Sequence, residues 1–379
     1  MRIESIIDLG YGDSGKGVTT DYLCNRSLKK LEKPIVIRFS GGPQAAHKTV
    51  VNGKNHIHSS FGSGTFRHNV PTYFSEHTLI YPPNLIKEYE VLKKKGITPK
   101  LFIHPLAKVI LPFDVIQNIC SARDIRNGTC GKGIGAAMKR NEGPYKFYAI
   151  DLLNLKMTDQ KIGAMYRYFV PHSSHKDITE AVKEEVKAFK EAVREMKKIT
   201  SIQIVDYKAL WKYDNLIFEG SQGIMLDMDH GIFPYVTYAN TTSKNIYEVL
   251  EGMQRSEDYY MHINTYYVTR CYSTIHGGSP YFKQHKLGLI NNKEESNVTN
   301  DFQGKLRVGK LNYINLNHAL DIDDVYLKNN YVYGNTKHLV VTCLDQYVDF
   351  KRHYGRFHPA FESIHESWSA DSKDFKRIK

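Results

Sequence analysis

Short runs of β-branched and apolar residues, each closing in a glycine-rich or polar turn, recur at Ile3–Leu9, Ile35–Phe39, Leu216–Phe218, Ile263–Val268 and Leu339–Cys343. Runs of this length and composition predict buried strands. The spacing changes over Lys176–Lys198, where Ile178, Val182, Val186, Phe189, Val193 and Met196 recur at three- or four-residue steps against a Lys/Glu face. That pattern predicts an amphipathic helix, and a further helix is expected after Gly17, through Leu23. Strands alternating with helices predict an α/β fold: a largely parallel central sheet flanked by helices, with ligands gathering in loops at the carboxyl ends of the strands. No internal repeat, low-complexity segment or Pro/Gly linker divides the chain, so 1–379 is expected to be a single domain with functional insertions. The basic tail Lys373–Lys379 is expected to fray.

Composition narrows the picture. The 379 residues are 41% hydrophobic and 24% charged, ordinary for a globular protein. No apolar run approaches the ~18 residues that a bilayer-spanning helix requires, which argues against a membrane protein. Met1 leads directly into a strand-like segment without the features of a signal peptide, so a cytoplasmic location is expected. Cys24, Cys120, Cys130, Cys271 and Cys343 are odd in number, far apart and without zinc-ligand spacing, which predicts reduced thiols. The net charge of +12 favours anionic partners. Scattered basic residues with no long basic block make nucleic acid an unlikely one and leave a phosphate-rich cleft or a generic solvated surface.

Three loops carry candidate chemistry. After the first strand comes Gly10-Tyr11-Gly12-Asp13-Ser14-Gly15-Lys16-Gly17. It satisfies the dinucleotide fingerprint G-x-G-x-x-G, but the next strand ends in Arg38-Phe39-Ser40 rather than in a ribose-binding acid. It also satisfies G-x-x-x-x-G-K, the phosphate loop, with Gly17 where a Ser or Thr should bind Mg²⁺. Asp13 is then the nearest hard oxygen ligand, and a tight turn without ligand is the plain alternative. The second loop, Ser40 to Lys48, follows the next strand and should face the first, offering His47 as a donor to charge developing on oxygen. The third, Glu219-Gly220-Ser221-Gln222-Gly223, leads into Asp227-Met228-Asp229-His230-Gly231, a stretch open to two readings: a calcium loop without its closing Glu, or a packed turn.

Together these residues resemble the adenylosuccinate synthetase family over most of the chain. Gly10–Gly17 resembles its Gly-Asp-Glu-Gly-Lys-Gly loop, Ser40–Gly53 its Gly-Gly…His loop, Asn127–Ala137 its Thr-Gly-rich loop and Phe218–Thr242 its most distinctive segment. The resemblance implies a P-loop-like nucleotide-binding architecture, a homodimer, Mg²⁺, and three small-molecule substrates: a purine nucleoside monophosphate, a nucleoside triphosphate and aspartate. It implies two chemical steps, phosphorylation of the purine O6 and displacement of phosphate at C6 by the amine of aspartate. Carried over by position, Asp13 would remove the N1 proton and bind Mg²⁺, with the Ala46 carbonyl as a further ligand. His47 would act as general acid, and Gln222 would hold the 6-oxo edge. Gly15, Lys16 and Gly17 would hold phosphates. Thr129, Thr237 and Arg140 would bind the acceptor's 5′-phosphate, Arg140 from across a dimer interface; a solvated surface Arg140 is the alternative. Gly304, Lys305 and Arg307 would capture aspartate.

Three departures from the family pattern stand out. Ser14 replaces an acid, Thr342-Cys343-Leu344-Asp345 has Cys343 where a guanine-reading Lys is usual, and the aspartate loop reads Asn300-Asp301-Phe302-Gln303-Gly304-Lys305-Leu306-Arg307. This resembles the bacteriophage and archaeal-like branch that joins dGMP to aspartate, the first step toward 2-aminoadenine in DNA. In that reading Ser14 makes room for the guanine 2-amino group and accepts its hydrogen bond, while Cys343 with Asp345 relaxes the guanine preference at the donor site toward ATP or dATP. The rival readings are an ordinary IMP- and GTP-using synthetase, a nucleotide kinase and a nucleic-acid-binding protein.

Overall fold

Alternate residues along each predicted strand enter different cores. Ile3, Ile7, Ile35, Ile37, Leu216, Phe218, Tyr267, Leu339 and Val341 pack into one cluster, whereas Ile6, Val36, Ile217, Tyr266, Val268 and Val340 pack into another. A strand covered on both faces reads as a continuous apolar run, as these do. The computed structural model describes residues 1–67, 69–121, 129–169, 176–253, 261–277, 279–290, 304–328 and 333–379.

The strands form one ten-stranded sheet in the order Phe375–Arg377, Ser363–Ser367, Tyr333–Thr342, Met261–Arg270, Arg2–Asp8, Asn215–Gly223, Pro34–Arg38, Thr72–Phe74, Leu101–Ile103, Ile202–Ile204. Every neighbouring pair is parallel except the first, which is antiparallel. The α/β expectation therefore holds. The basic tail does not fray, because Phe375–Arg377 pairs with Ser363–Ser367 at the sheet edge.

Helix Lys16–Lys29 covers one face with Leu23 and Cys24, and Lys244–Met253 and Tyr313–Lys328 cover the other. Helix Lys176–Lys198 forms with the predicted bounds and buries Val182, Phe189, Val193 and Met196 in a third cluster beyond the 101–103 strand; the side chain of Ile178 lies outside the described residues. Among the described residues no helix is long and apolar enough to cross a membrane. None of the five cysteines is in a disulfide.

Strands Arg2–Asp8 and Pro34–Arg38, consecutive in the largest apolar runs of the N-terminal region, are not neighbours. Asn215–Gly223 lies between them, parallel to both. Its register against the first strand jumps from Ile6/Glu219 to Asp8/Gly223, so Gly220, Ser221 and Gln222 leave the ladder at its carboxyl end.

Candidate active site

Four adjacent strands carry a buried charge at or near their carboxyl ends: Arg270, Asp8, Glu219 and Arg38, in spatial order, at 6%, 0%, 0% and 1% exposure. Two carboxylates are thus flanked by two guanidiniums beneath the loops. Ions so far from water persist only with partners.

Asp8 shapes the first loop. Its carboxylate accepts from Gly10 N at 2.9 Å, Ser14 N at 3.2 Å, Ser14 Oγ at 2.9 Å and Lys16 Nζ at 2.7 Å. Burial opposes its ionisation, but the Lys16 ammonium and these hydrogen bonds hold the carboxyl below its ordinary value. Lys16 is thereby held beneath the loop at 2% exposure. Gly15 caps the following helix at φ 93 without a side-chain cap, leaving first-turn N–H groups for an anion. A Cβ there would also meet Thr342 Cγ2 at 2.7 Å. Thr342 donates to the Ser14 carbonyl at 2.9 Å, so Cys343 and Asp345, which follow, sit against the phosphate loop.

Asp13 takes a left-handed conformation, φ 61, uncommon for a residue with a side chain and compatible with a short polar one. Arg270 Nε donates to its carbonyl, and His276 Nε2 lies 3.5 Å from its Oδ2. The carboxylate is about one-third exposed, at 32%, and so remains open to a hard cation. Ala46 is exposed on the second loop. The Asp13 carboxylate is a hard oxygen of the kind that fits Mg²⁺.

His47 opens the strand His47–Val51 rather than lying in the loop itself. Its Nδ1 is 2.7 Å from Glu219 Oε1 and its Nε2 is 3.3 Å from the Ser221 carbonyl. Ser63 donates to the same carboxylate through its backbone N at 3.0 Å and through its hydroxyl. Burial would raise the Glu219 pKa, yet His47, Arg38 and Ser63 hold it down to about 2. Burial, with Arg38 and Lys16 nearby, lowers that of His47 despite Glu219. The short contact places Nδ1–H on the Glu219 side of the ring.

The loops touch one another. Ser40 Oγ and Ser221 Oγ are 2.8 Å apart, and a Cβ on Gly41, at φ 67, would strike Ser221 Cβ at 2.6 Å. Gln222 lies against Gly12, whose added Cβ would be 3.7 Å from its Cα; Gln222 Oε1 is buried without a hydrogen-bond partner. The third loop therefore lies between the first and second.

Thr129 donates to Asn118 Oδ1 at 3.0 Å. The helix after it, Ile134–Glu142, packs on Tyr238 beside half-buried Thr237: a Cβ on Gly135 would meet Tyr238 Cδ2 at 2.7 Å. Arg140 departs from the surface alternative. It is 7% exposed, and its Nε and Nη2 bind Asp114 at 2.9 Å each, while Nη1 donates to the Tyr145 carbonyl at 2.7 Å and Nη2 to that of Val109 at 2.6 Å. All three nitrogens are engaged within the chain, so it is not a solvated surface arginine.

Arg307 begins a strand paired with Ser273–Ile275 and donates through Nη2 to the carbonyls of Gly277 and Ser279 at 2.7 and 3.0 Å. It lies over Phe282, which meets Tyr11 of the first loop edge-on. Gly304 and exposed Lys305 precede it; Asn300 to Gln303 lie outside the described residues. Asp227 is a turn anchor, not a calcium ligand: fully buried, it accepts from Asp229 N, His230 N and Thr241.

Asp8, Arg38, Glu219, Arg270 and His276 are not among the site residues that the sequence suggests. The signal for the first four is a single charged residue closing an apolar run just before a glycine or polar turn.

The family model described as adenylosuccinate synthetase matches residues 5–349. The adenylosuccinate synthetase of Buchnera aphidicola subsp. Schizaphis graminum is 28% identical over 405 residues, covering 99% of this chain and 90% of that protein. Among solved structures, fully ligated adenylosuccinate synthetase from Plasmodium falciparum is similar with a TM-score of 0.67 at 19% identity, covering 100% of this chain and 87% of that one. Cyanophage S-2L succinoaminodeoxyadenylate synthetase, bound to dGMP and to dATP as an energy donor, is similar with a TM-score of 0.63 at 16% identity, covering 99% and 95%. At those identities the two structures share the fold.

Proposed function

We propose, from the premise that this chain belongs to the adenylosuccinate synthetase family of C–N bond-forming ligases, that it condenses dGMP with L-aspartate, driven by ATP or dATP, to N6-succino-2-amino-2′-deoxyadenylate. The observation that carries the choice of acceptor is Ser14. Its hydroxyl proton is directed to Asp8 at 2.9 Å, which leaves the oxygen as an acceptor, and the residue lines a small cleft with Gly10, Tyr11, Met225 and Asn315. A short acceptor beside Asp13 suits a purine with a 2-amino group, and a site built for that N–H disfavours an analogue that lacks it.

In this reading Asp13 takes the N1 proton while His47, oriented by Glu219, donates to the oxygen that receives the phosphoryl group. The uncapped helix start at Gly15–Gly17 and Lys16 hold donor phosphates, and Mg²⁺ on Asp13 and the Ala46 carbonyl would neutralise their charge. Gln222 faces the 6-oxo edge, Thr129 and Thr237 the 5′-phosphate, and Gly304, Lys305 and Arg307 the two carboxylates of aspartate. Cys343 and Asp345 read the donor base. A homodimer remains part of the proposal, without Arg140 as its shared residue.

Use of IMP and GTP is the second reading, favoured by the name of the Buchnera relative. Incubation with ATP or GTP, with dGMP or IMP, and with or without aspartate, read by mass spectrometry, tests both. The proposal expects a dGMP–aspartate adduct formed with higher kcat/KM than adenylosuccinate, and Ser14→Glu should shift preference toward IMP. Equal or faster turnover of IMP by the unmodified protein returns the chain to ordinary adenylosuccinate synthesis, and phosphate transfer without aspartate would make it a kinase.

A further inference from the structure

His56 and His58 project from strand Lys54–His58 and Glu88 from helix Pro82–Lys94. They are 4%, 0% and 6% exposed, and one ligand-capable atom from each lies within 4.8 Å of the others. We propose that His56 Nε2, His58 Nδ1 and Glu88 Oε1 form a binding site for one divalent transition cation of the zinc type, bracing the hairpin that carries His47.

The spacing suits such an ion. Glu88 Oε1 lies 3.3 Å from His56 Nε2 and 3.8 Å from His58 Nδ1, and ligands about 2.0–2.1 Å from a tetrahedral centre stand roughly 3.4 Å apart. The two carboxylate–imidazole distances thus lie within a few tenths of an ångström of that spacing, and the two imidazole nitrogens lie within 4.8 Å of each other. Two imidazoles and one carboxylate favour zinc or cobalt over magnesium or calcium, which prefer all-oxygen sites.

The surrounding bonds prepare each ligand. His58 Nε2 is 3.0 Å from Thr49 Oγ1, whereas its Nδ1 is buried and has no hydrogen-bond partner. Donation from Nε2–H to Thr49 leaves the Nδ1 lone pair facing Glu88, the tautomer a metal needs. Glu88 Oε2 is saturated by Ser59 N, Ser59 Oγ and Ser60 N at 3.0, 2.9 and 2.6 Å, which leaves Oε1 for the cation. A cluster serving only as a hydrogen-bonded anchor would have satisfied His58 Nδ1 as well.

Lys95 opposes the ion. Its Nζ is 3.2 Å from His56 Nδ1, so metal binding at Nε2 requires the ring proton to move to Nδ1 and Lys95 to withdraw. Lys95 is exposed and also holds the Asn55 carbonyl at 2.8 Å, so it has somewhere to go. His58 is the cross-strand partner of His47, hence an ion here would fix the strand on which His47 is mounted.

The test is metal analysis of chelator-stripped full-length protein after dialysis against zinc, with cobalt(II) as a spectroscopic probe. Expected are one zinc per chain, visible cobalt bands of a four-coordinate site and a thermal midpoint raised by zinc. Glu88→Gln and His58→Asn should weaken binding at least roughly 100-fold and Thr49→Val roughly 10-fold, while Lys95→Met should tighten it. Wild-type protein that emerges from gel filtration without zinc overturns the proposal, as does undiminished binding in Glu88→Gln. Should both ligand variants fail to fold, the X-ray absorption spectrum of the zinc-loaded wild type decides by whether it shows two imidazole ligands.

Discussion

His47 Nδ1 and Glu219 Oε1 lie 2.7 Å apart, at 8% and 0% side-chain exposure. The pair joins two strands, and the carboxylate fixes the ring's orientation with Nδ1–H toward Glu219 and Nε2 beside the Ser221 carbonyl of the third loop. Glu219→Gln keeps the shape but can hydrogen-bond the wrong tautomer. It should lower kcat roughly 10²-fold or more with little change in the KM for purine nucleotide, and His47→Asn should cost roughly 10²–10⁴. Steady-state kinetics with ATP, dGMP and aspartate check both; a Glu219→Gln enzyme with normal kcat would detach the pair from catalysis.

Asp8 neutralises Lys16 in a site where neither is more than 1% exposed. Asp8→Asn leaves a buried ammonium uncompensated and should destabilise the fold by roughly 3–5 kcal/mol. Urea unfolding measures it, and a loss below about 1 kcal/mol would show that Lys16 escapes to solvent easily.

Arg140 and Asp114 form a second buried pair, at 4% and 2% exposure. Arg140→Leu should destabilise each subunit by a similar roughly 3–5 kcal/mol. Mixing it with an Asp13→Asn subunit should restore no more activity than the Arg140→Leu protein shows alone. Recovery in hybrids would place Arg140 at a shared site after all.

Arg307 keeps Nη2 on two carbonyls while the guanidinium stands over Phe282 near Tyr11. Arg307→Leu should raise the KM for aspartate far more than that for the purine nucleotide. The reverse order, measured by varying each substrate in turn, would move the dicarboxylate elsewhere.

Acid should destabilise the protein well above the carboxylate range. Burial lowers His58 to about 3 and His338 and His365 to about 4, from 6.5. Below pH 6.5 the unfolded chain therefore binds protons that the folded chain refuses, and stability falls as pH drops toward 4. Glu219, held at about 2 against 4.5, adds a loss in the same direction below 4.5. Between pH 6.5 and 4.5 His58 alone should cost roughly 2–3 kcal/mol. A urea midpoint unchanged over that interval would contradict its neutral, buried state.

The central strands and helix Lys176–Lys198 were legible because burial on both faces, or along one stripe, writes a continuous or 3.6-residue pattern into the sequence. Thr72–Phe74, Leu101–Ile103 and Ile202–Ile204 were not, since three residues are too few to show a period. The loops carrying Asp13, His47 and Gln222 were found through their glycines. Their supports were hidden: nothing local in Ile3–Leu9 says that Asp8 will meet Lys16, and Glu219 finds His47 only because its strand enters between two earlier ones. The burial of Arg140 is hidden for the same reason, as its partner Asp114 lies 26 residues earlier.

The position of Asn215–Gly223 also sets an order of assembly. Until that strand is made, Arg2–Asp8 and Pro34–Arg38 cannot acquire the neighbour that lies between them, and each presents an unpaired parallel edge through the synthesis of the intervening chain. Parallel pairings across such long separations close slowly and leave strand edges open to other chains. The growing N-terminal segment is thus the part of this molecule with most need of a chaperone, and a fragment ending before residue 215 should aggregate rather than bind nucleotide.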